Sequence, residues 1–397
     1  MKILMLTPYL PYPLLSGGQI RTYNLLKNLK DKHEIHLFSI IKDDDEKEYV
    51  GKLKEFCESV NVFKRSKTPF TLRNVVLAGV TPYPFLVTRN LPISAKSVLT
   101  EFLEREHVDL IHAETFYVMP ILPKTRVPTL LVEQTIEYLV YQDFVRTFRI
   151  APLKPLLMFD VAKINFWEKY YWKKATRLAT MSEEDKDFIL QFAPDAEIDI
   201  VANGVDAGYF AKVQRKALKQ QIVLFVGQFK WLPNRDAVHF LHQNIWPLIK
   251  REIPNCKLWI VGRHPSAEIK SLSQEEDVVV DEGIEDIREA YAGASVLLAP
   301  IRSGRGTKYK ILEAMASKTP VVATALGIEG IRARDNEEVL IGEDAQELAN
   351  KTVRILKHPR LANRLAEAAN KLIIKHYNWA GISSELDEIY KQLGRVA

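Results

Sequence analysis

Cysteine and long apolar runs are scarce in this sequence. The 397 residues include only Cys57 and Cys256, whose separation gives neither a metal-binding spacing nor a disulfide framework. This scarcity favours a reducing, cytoplasmic setting. The apolar run in the opening MKILMLTPYLPYP is too short for a signal peptide, and no stretch of about 20 uncharged apolar residues predicts a membrane span. We therefore expect a cytoplasmic protein that would have to be recruited to a membrane surface.

A strong charge of either sign is also missing. The formal net charge of +5 is spread along the chain, which argues against a protein dedicated to nucleic acid, and we expect no nucleic-acid partner. With 47% hydrophobic and 26% charged residues the composition is that of an ordinary globular protein. The length fits two domains of about 150–200 residues each.

The three spaced glycines of a dinucleotide-binding fingerprint do not occur after the first strand. That strand (residues 2 to 7) is followed by a loop that ends in Gly17 and Gly18, a helix, and a second strand (34 to 41). This βαβ opening is typical of a doubly wound parallel sheet. The missing fingerprint disfavours a NAD-dependent dehydrogenase, although a glycine pair at a helix start can approach a phosphate or a sugar closely.

One stretch, residues 294 to 324, combines a buried strand, a glycine loop and a helix. Its first seven residues are an apolar run that predicts a strand of a parallel sheet, and from Lys308 the apolar residues recur at helical spacing. The loop between them contains Gly304 and Gly306 and ends in Thr307, the expected N-cap. Such a loop brings backbone N–H groups and the positive end of a helix dipole to one point.

The residues around this helix start are mostly basic. They are Arg302, Arg305, Lys308 and Lys310. A helix N-terminus disfavours each cation by about 0.3–1 kcal/mol, so the group needs an anion, and phosphate fits because glycine lets the backbone approach its oxygens. Glu313 is then an isolated acceptor suited to the hydroxyls of a ribose. The alternative is a solvated basic loop with Glu313 paired to Lys310 or Tyr309.

The run from Gly304 to Thr324 resembles the donor-site signature of the group 1 glycosyltransferases, a retaining family (family 4) with the GT-B fold. Residues 313 to 316 match the family's EAMA motif, in which the glutamate contacts the donor ribose and the preceding loop holds the diphosphate. The family usually has a second glutamate eight residues upstream. Arg305 stands there in this chain, which favours a subgroup and removes the usual carboxylate contact to the transferred sugar.

The resemblance implies an α/β fold of the GT-B type, with two Rossmann-like, doubly wound parallel-sheet domains facing a cleft. The NGVD run that starts at Asn203 matches the family's crossing between the domains. We expect an acceptor-side domain over residues 1 to 203 and a nucleotide-sugar donor-binding domain over 204 to 375. The polar run at 212 to 221 would be a linker, and residues 376 to 397 a helix crossing back to the first domain.

Further donor-site residues follow from the resemblance. The Arg and Lys that the family offers to the diphosphate correspond here to Gln228 and Asn234, so the cations of the glycine loop are expected to carry the phosphate charge, with Arg263 in support. Ile284 lies in the loop that would contact the nucleobase. The expected donor-binding residues are Gly17, Gly18, Gly227, Arg263, Ile284, Arg302, Gly304, Gly306, Thr307 and Glu313.

The candidate catalytic residues are carboxylates and cations. They are Glu313, Arg305, Lys308, Glu137 and Glu114. Glu114 follows one predicted strand and Glu137 the next, at the carboxyl ends where open α/β sheets bind ligands. Glu137 also matches a family glutamate, although Gln134 and Thr135 replace the His-Asn pair before it. The base is Glu114, Glu137 or a donor phosphate oxygen, and His112 beside Glu114 is a cleft residue or a structural one.

No paired-aspartate motif that would chelate Mg²⁺ between strands is evident, so we expect no metal site. The predicted activity is transfer of a sugar, with retention, from a UDP- or GDP-type nucleotide sugar to a saccharide or lipid-linked acceptor. Cell-surface polysaccharide or glycolipid synthesis is the expected setting, and no cofactor beyond the donor is expected. The alternatives are a nucleotide-sugar epimerase of the same architecture and a non-catalytic sugar-nucleotide-binding protein.

Residues 146 to 177 carry eight Lys or Arg side chains interleaved with aromatic residues. Such a segment can lie on an anionic membrane surface, which would place the protein at the inner face of the membrane. The alternative is a core helix whose aromatic residues pack inward while its lysines stay solvated.

Overall fold

The computed structural model describes residues 1–92, 94–148, 150–213 and 220–395. The chain divides into two compact units, the first formed by Met1–Ala202 with Ile382–Ala397 and the second by Asn203–Gly381. Each unit is built on one parallel sheet, as predicted. Residues 214 to 219 of the expected linker, and Arg149 of the basic segment, lie outside the described residues.

The sheet of the first unit contains seven parallel strands within the described ranges, in the order β3-β2-β1-β4-β5-β6-β7. They are β1 (Lys2–Thr7), β2 (Glu34–Ile41), β3 (Ser59–Lys64), β4 (Leu110–Glu114), β5 (Thr129–Glu133), β6 (Arg177–Thr180) and β7 (Ile198–Ile200). The central strands are apolar and buried on both faces, as parallel strands covered by helices must be. The order reverses beside β1, where such sheets bind ligands.

Helices connect these strands. They are α1 (Gly17–Leu29), α2 (Val50–Leu53), α3 (Leu72–Val80), α4 (Phe85–Arg89), α5 (Ala95–Arg105), α6 (Glu137–Thr147), α7 (Lys154–Lys174) and α8 (Glu183–Leu190). Short 3₁₀ helices cover Asp44–Tyr49, Phe116–Ile121 and Ala151–Leu153. The pattern at 49 to 60 predicts a longer helix than α2. That prediction is wrong because the 3₁₀ helix, held by an Asp43 capping box, uses the preceding residues and β3 starts at Ser59.

The second unit contains six parallel strands within the described ranges, in the order β10-β9-β8-β11-β12-β13. They are β8 (Ile222–Val226), β9 (Lys257–Val261), β10 (Val278–Asp281), β11 (Val296–Ala299), β12 (Val321–Ala323) and β13 (Leu340–Ile341). The sequence analysis did not predict β13, since two residues are too short for a periodic signal.

The helices that follow complete the chain. They are α9 (Ala207–Phe210), α10 (Leu232–Phe240), α11 (Trp246–Glu252), α12 (Ala267–Ser271), α13 (Ile287–Ala292), α14 (Tyr309–Ala316), α15 (Ala345–Lys357), α16 (Pro359–His376) and α17 (Trp379–Gly394). The residue pattern from 235 to 249 predicts one continuous helix, but a π-helical turn at Leu241–Ile245 separates α10 from α11. Pro247 explains it, because its nitrogen cannot donate to the preceding turn. Helix α15 was not predicted from the sequence, although Asp344 caps it three residues before Glu347.

The last part of α17 belongs to the first unit. Tyr390 Oη and His112 Nδ1 lie 2.5 Å apart, and Asp387 binds His33 Nε2 at 3.0 Å and Lys32 Nζ at 2.9 Å. In each of these contacts one residue precedes the second unit in the sequence and the other follows it. The first unit is therefore completed by residues at the end of the chain. Within the described ranges, none of the helices is long and apolar enough to span a bilayer.

Candidate functional site

The glycine loop lies between β11 and α14. Gly304 and Gly306 have φ values of 90° and 81°, a left-handed conformation that glycine adopts without a steric penalty. These two turns delay the helical dihedral angles until Tyr309, so Lys308 is the N-cap residue and the prediction of Thr307 at that position is wrong. The Oγ1 atom of Thr307 is buried, with no hydrogen-bond partner among the residues that the structure describes.

A carboxylate lies against this loop. The backbone N–H of Gly306 donates to Oε2 of Glu329 at 3.0 Å, and Lys308 Nζ lies 3.6 Å from the same oxygen. The Lys308 ammonium also donates to the carbonyl oxygens of Gly304 (3.2 Å) and Gly306 (2.5 Å). Burial lowers the pKa of Lys308, and Glu329 opposes that shift. The loop therefore binds an oxyanion through one amide and one ammonium, the donors that a phosphate would use.

Glu313 lies on α14 and has a phenol as its partner. The buried hydroxyl of Tyr291 donates to Glu313 Oε2 at 2.7 Å. Burial raises the pKa of Glu313, while the Tyr291 hydrogen bond and the Lys310 charge act in the opposite direction. Tyr309, the alternative partner from the sequence, donates instead to Asn203 Oδ1 at 3.2 Å. Glu313 is thus an acceptor that Tyr291 orients.

Lys310 was outside the expected set of site residues, and it lies close enough to Lys308 and Glu313 of that set for their charges to affect its pKa. Its Nζ donates to Asn234 Oδ1 at 2.7 Å and lies 4.4 Å from the centroid of the Phe225 ring. Burial, with a smaller contribution from Lys308, lowers the pKa of Lys310 to about 7. Asn234 in turn donates to the Gln228 carbonyl at 2.9 Å. The Asn at position 234 therefore positions an ammonium group.

A close approach explains the glycine at the end of β8. A Cβ atom on Gly227 would lie 2.9 Å from Cγ of Asn234, the residue that holds Lys310. A larger residue at position 227 would displace Asn234, so Gly227 allows Asn234 to hold the ammonium group of Lys310.

The three arginines expected to bind phosphate lie in different environments. Arg302 forms an ion pair with Asp236, with Nη2–Oδ1 and Nε–Oδ2 distances of 2.6 and 3.1 Å, and its guanidinium lies 4.2 Å from the Phe240 ring centroid. Arg305 is exposed on the glycine loop, and Arg263 is exposed in the loop after β9. Asp236 therefore balances the charge of Arg302, whereas Lys308 contacts the glycine loop directly.

A cavity of ≈ 540 Å³ lies beside the loop expected to contact a nucleobase. Its lining residues are Tyr209, Trp259, Asp281, Ile284, Glu285, Asp286 and Glu289. The four carboxylates give this cavity the sign of charge that repels phosphate. The cavity and the glycine loop therefore suit different parts of a ligand.

The glycine pair of the first unit forms the first turn of α1. Ser16 caps this helix by accepting from the Gln19 N–H. A Cβ atom on Gly18 would collide with the hydroxyl of Tyr9, so glycine is needed here for packing. The Tyr9 hydroxyl accepts from Gln134 Nε2 at 2.6 Å. Gly17 and Gly18 thus place α1 against the end of β1.

Glu114 is completely buried at the end of β4 and surrounded by donors. Gln134 Nε2 donates to its Oε2 at 2.6 Å, His112 Nε2 lies 3.1 Å from its Oε1, and Arg21 Nε lies 3.8 Å from the same atom. Burial acts to raise the pKa of Glu114, but His112, Arg21 and Gln134 together lower it below its usual value. Glu114 is thus a buried carboxylate with His112, Gln134 and Arg21 around it.

Glu137 is the first residue of α6 and is partly exposed. Burial raises its pKa to about 7, with Arg89 opposing the shift. The backbone N–H groups of Glu137 and Tyr138 donate to the buried carboxylate of Glu168 on α7, at 2.8 and 3.1 Å. This cap fixes the start of α6. A carboxyl group with a pKa near 7 can take up and release a proton at physiological pH.

The basic segment has both a buried and an exposed apolar side. Tyr171 and Trp172 of α7 pack into the core, whereas Leu156 and Phe159 are 67% and 61% exposed. Exposed apolar residues also occur on the neighbouring α3, and Lys163 Nζ joins the two helices by donating to the Ala78 carbonyl at 2.6 Å. The exposed members of this apolar surface are Phe70, Leu72, Val75, Val76, Val80, Leu156, Phe159 and Phe166. Exposed apolar residues concentrated on two neighbouring helices are typical of interaction surfaces.

Two doubly wound parallel sheets, one of which carries an oxyanion-binding glycine loop and an oriented carboxylate on the next helix, define a glycosyltransferase of the GT-B class. The comparisons with known proteins give the family. The model described as "Glycosyl transferases group 1" matches residues 220–358, and the model "Glycosyltransferase Family 4" matches residues 15–209. The chain belongs to the group 1 glycosyltransferases.

Two curated relatives are similar to the chain. An uncharacterized 44.6 kDa protein in the cps region of Klebsiella pneumoniae is 21% identical over 97% of this chain and 98% of its own. The phosphatidyl-myo-inositol mannosyltransferase of Mycobacterium tuberculosis is 26% identical over 48% of this chain and 53% of its own, so that match spans about half of each protein.

Solved structures of glycosyltransferases share the fold. Sucrose-phosphate synthase from Thermosynechococcus elongatus superposes with a TM-score of 0.70 at 18% identity, covering 100% of both chains. HepE of Anabaena, solved in complex with UDP, gives a TM-score of 0.68 at 16% identity over 99% of this chain and 100% of its own.

Proposed function

We propose that the protein transfers a sugar, with retention at the anomeric carbon, from a nucleoside diphosphate sugar to a saccharide or lipid-linked acceptor. The observation that carries the proposal is the oxyanion contact of the glycine loop, where Gly306 N–H and Lys308 hold the Glu329 carboxylate. A diphosphate would take those donors. We include retention because the resembled family is retaining, and we name surface polysaccharide as the product class because one relative comes from a cps region.

In this proposal the donor site stabilises the leaving group. Charge develops on the diphosphate as the glycosidic bond to it breaks, and fixed amide and ammonium groups lower the energy of that charge. Lys308 and Lys310 supply the cations and Gly306 an amide, which is why we propose a metal-independent reaction. The hydroxyl group of Thr307, which has no hydrogen-bond partner among the described residues, would be a further donor to the diphosphate.

We assign the ribose to Glu313. The Tyr291 hydrogen bond fixes one carboxylate oxygen, and the ribose diol would donate to the group so oriented. The cavity beside Ile284 lies next to the loop assigned to the nucleobase, and its negative lining suits a neutral base better than a phosphate. UDP is our preferred donor nucleotide because HepE was solved with UDP.

We assign the acceptor base to Glu137 or to a donor phosphate oxygen, and no longer to Glu114. A general base must take up a proton and release it again during each turnover. The pKa of Glu137 is about 7 and its side chain is partly exposed, whereas Glu114 is enclosed by His112, Arg21 and Gln134.

We further propose that the protein works in the cytoplasm at the inner face of a membrane. The apolar surface of α3 and α7 would enter the interface, while Lys154, Lys173 and Lys174 of α7 would contact anionic headgroups. A lipid-linked acceptor would then be reached without leaving the membrane surface.

The test is a screen of UDP- and GDP-sugars in which the released nucleoside diphosphate is measured. We expect turnover with one donor, and we expect Glu313→Gln to lower it by roughly tenfold to a hundredfold, as the loss of a charged hydrogen bond does. Glu367→Gln is the matched control, because that carboxylate pairs with Lys318 on the surface. Binding of a nucleotide without turnover of any donor would indicate a non-catalytic protein, and isomerised donor without acceptor would indicate an epimerase.

A further inference from the structure

Three cations meet at the carboxyl edge of the sheet in the first unit. Lys42 directly follows β2 and Arg65 directly follows β3, and the last residues of these strands, Ile41 and Lys64, are paired in register. The Arg65 N–H donates to the Ile41 carbonyl at 2.9 Å, so the two cationic side chains start from neighbouring points. Arg89, the last residue of α4, is the third cation.

The two guanidinium groups have donors left over. In the part of the chain that the structure describes, the Nε atoms of Arg65 and Arg89 are buried and have no hydrogen-bond partner. Arg65 Nη1 donates to the Ser66 carbonyl at 3.2 Å and Arg89 Nη2 to the Tyr141 hydroxyl at 3.1 Å, both neutral acceptors. Leaving a charged donor buried without an acceptor costs free energy, so the arrangement is suited to an added anion.

The lysines on either side of Arg65 in the sequence have acidic partners, unlike the two arginines. Lys64 and Lys67 form ion pairs with Asp44 and Asp43 on the surface. Glu46 of the same segment uses its Oε1 to accept from the backbone N–H groups of Lys42 and Asp43, at 2.8 and 3.0 Å. This carboxylate therefore closes the capping box of the 3₁₀ helix.

The two acids near Arg89 have other roles as well. Asp160 accepts from the Phe85 N–H at 2.8 Å. Glu137 has a pKa raised to about 7 by burial, so it is only partly charged at neutral pH. Burial and the mutual repulsion of the cations lower the pKa of Lys42 and of Arg65, with Glu46 opposing both shifts. The three cations therefore repel one another, and Glu46, Asp160 and Glu137 are the acids that offset part of their charge.

We propose that Lys42, Arg65 and Arg89 form a subsite for an oxyanion, a phosphoryl or carboxylate group carried by the acceptor. The proposal rests on the proposed glycosyl transfer and specifies its acceptor class. Arg89 binds Tyr141, which lies one helical turn from Glu137 on α6, so the subsite and the candidate base share one face of that helix. An acceptor anchored by its anion would present a hydroxyl to Glu137.

Arginine suits this role because its planar fork matches the two oxygens of a carboxylate or phosphate. A neutral acceptor would leave the guanidinium donors unpaired, so the subsite selects against uncharged saccharides. The anion comes from a diphosphate-linked lipid carrier or from an acidic sugar of a growing saccharide.

The experiment follows the Arg Nε–H signals of the full-length protein by NMR, with ¹⁵N-arginine labelling and with Arg65→Lys and Arg89→Lys for assignment. Pyrophosphate and glucuronate are titrated separately, each with saturating UDP present to occupy the donor site. We expect the signals of Arg65 and Arg89 to shift and that of Arg288, which is paired with Asp286, to stay in place. A pyrophosphate response supports a phosphorylated carrier, and a glucuronate response supports an acidic sugar.

Calorimetry then measures affinity for the anion that responds. Arg65→Gln/Arg89→Gln should weaken its binding by roughly tenfold to a hundredfold, as the loss of charged hydrogen bonds does, while Lys64→Gln leaves it unchanged. The double variant should unfold at the same temperature as the wild type or higher, because repulsion is removed, and should bind UDP normally.

Unmoved Arg65 and Arg89 signals with both anions, or anion affinity equal in wild type and double variant, would overturn the subsite. Failure of the donor screen with these signals shifting would instead overturn the glycosyltransferase proposal and leave the anion subsite standing.

Discussion

The hydroxyl of Tyr291 donates a 2.7 Å hydrogen bond to Oε2 of Glu313. Tyr291 lies at the end of α13 and Glu313 on α14, so the bond links the two helices that flank β11 and its glycine loop. Burial raises the pKa of Glu313, and this bond acts in the opposite direction by favouring the ionised carboxylate. If Glu313 binds the ribose as we propose, Tyr291 would orient the carboxylate that does so.

Tyr291→Phe should shift the pH dependence of donor binding. Removing the phenol raises the pKa of Glu313 further, so the carboxylate is lost at a higher pH and UDP affinity falls earlier as the pH decreases. The measurement is the dissociation constant of UDP by calorimetry between pH 5 and 8, with Tyr49→Phe in the first unit as control. Superimposable profiles for wild type and Tyr291→Phe would refute this coupling.

Lys310 should take up a proton when a diphosphate binds. Its pKa of about 7 means that it is largely neutral in the folded protein at pH 8, and a nearby anion raises that pKa again. Calorimetry at pH 8 in two buffers of different ionisation enthalpy should report uptake of up to about one proton, and Lys310→Met should abolish it. An uptake that persists in Lys310→Met would assign the proton to another group.

Glu329→Gln should tighten the binding of nucleoside diphosphates. The carboxylate competes with the diphosphate for Gly306 N–H and repels it, a cost of about 1 kcal/mol or a several-fold change in affinity at a partly exposed site. Competition binding with UDP checks this, with Glu367→Gln on the surface as control. Weaker binding in Glu329→Gln would mean that the carboxylate supports the loop and must stay in place.

Glu137→Gln should lower the reaction rate, whereas Glu114→Gln should lower the stability of the fold. The first removes a base whose pKa is about 7, so kcat should fall by about 10²–10⁴-fold and the rise of the rate with pH through neutrality should disappear. The second breaks a buried charge cluster and should reduce the free energy of unfolding by about 3–5 kcal/mol. Rate profiles and denaturant unfolding of both variants separate the roles. An equal loss of stability in the two variants would contradict the different roles assigned to Glu137 and Glu114.

Leu156→Glu/Phe159→Glu should release the protein from anionic vesicles. Two charged carboxylates on the exposed face of α7 oppose both insertion and attraction to phosphatidylglycerol. Sedimentation with phosphatidylglycerol vesicles measures the bound fraction, and Ile374→Glu on α16 of the second unit is the control, because Ile374 is 57% exposed. Unchanged sedimentation of the double variant would exclude this surface.

The sequence predicts most of the fold because buried parallel strands are near-continuous apolar runs, as in Lys2–Thr7 and Ile222–Val226. It predicts the glycine loop because Gly304 and Gly306 interrupt a strand–helix pattern. Partners distant in sequence are a different matter. Tyr291 precedes Glu313 by 22 residues and Glu329 follows Gly306 by 23, and no local pattern indicates that either pair meets.

The pKa values of Lys310 and Glu137 could not be predicted from sequence either. Both depend on burial against other segments, Lys310 beside Phe225 and Asn234, and Glu137 near Arg89. The N-cap shows the same limit, since Thr307 has the right chemistry for a cap and the left-handed glycines before it move the helix start to Tyr309.

The return of α17 to the first unit has a consequence during biosynthesis. A ribosome delivers Met1–Ala202 long before Ile382–Ala397, so His33 and His112 emerge without Asp387 and Tyr390. The second unit, in contrast, has its whole chain by Gly381. The first unit can therefore form all its contacts only after residues 382 to 397 have been made. Until then it is the part of the new chain that is incomplete and open to chaperones.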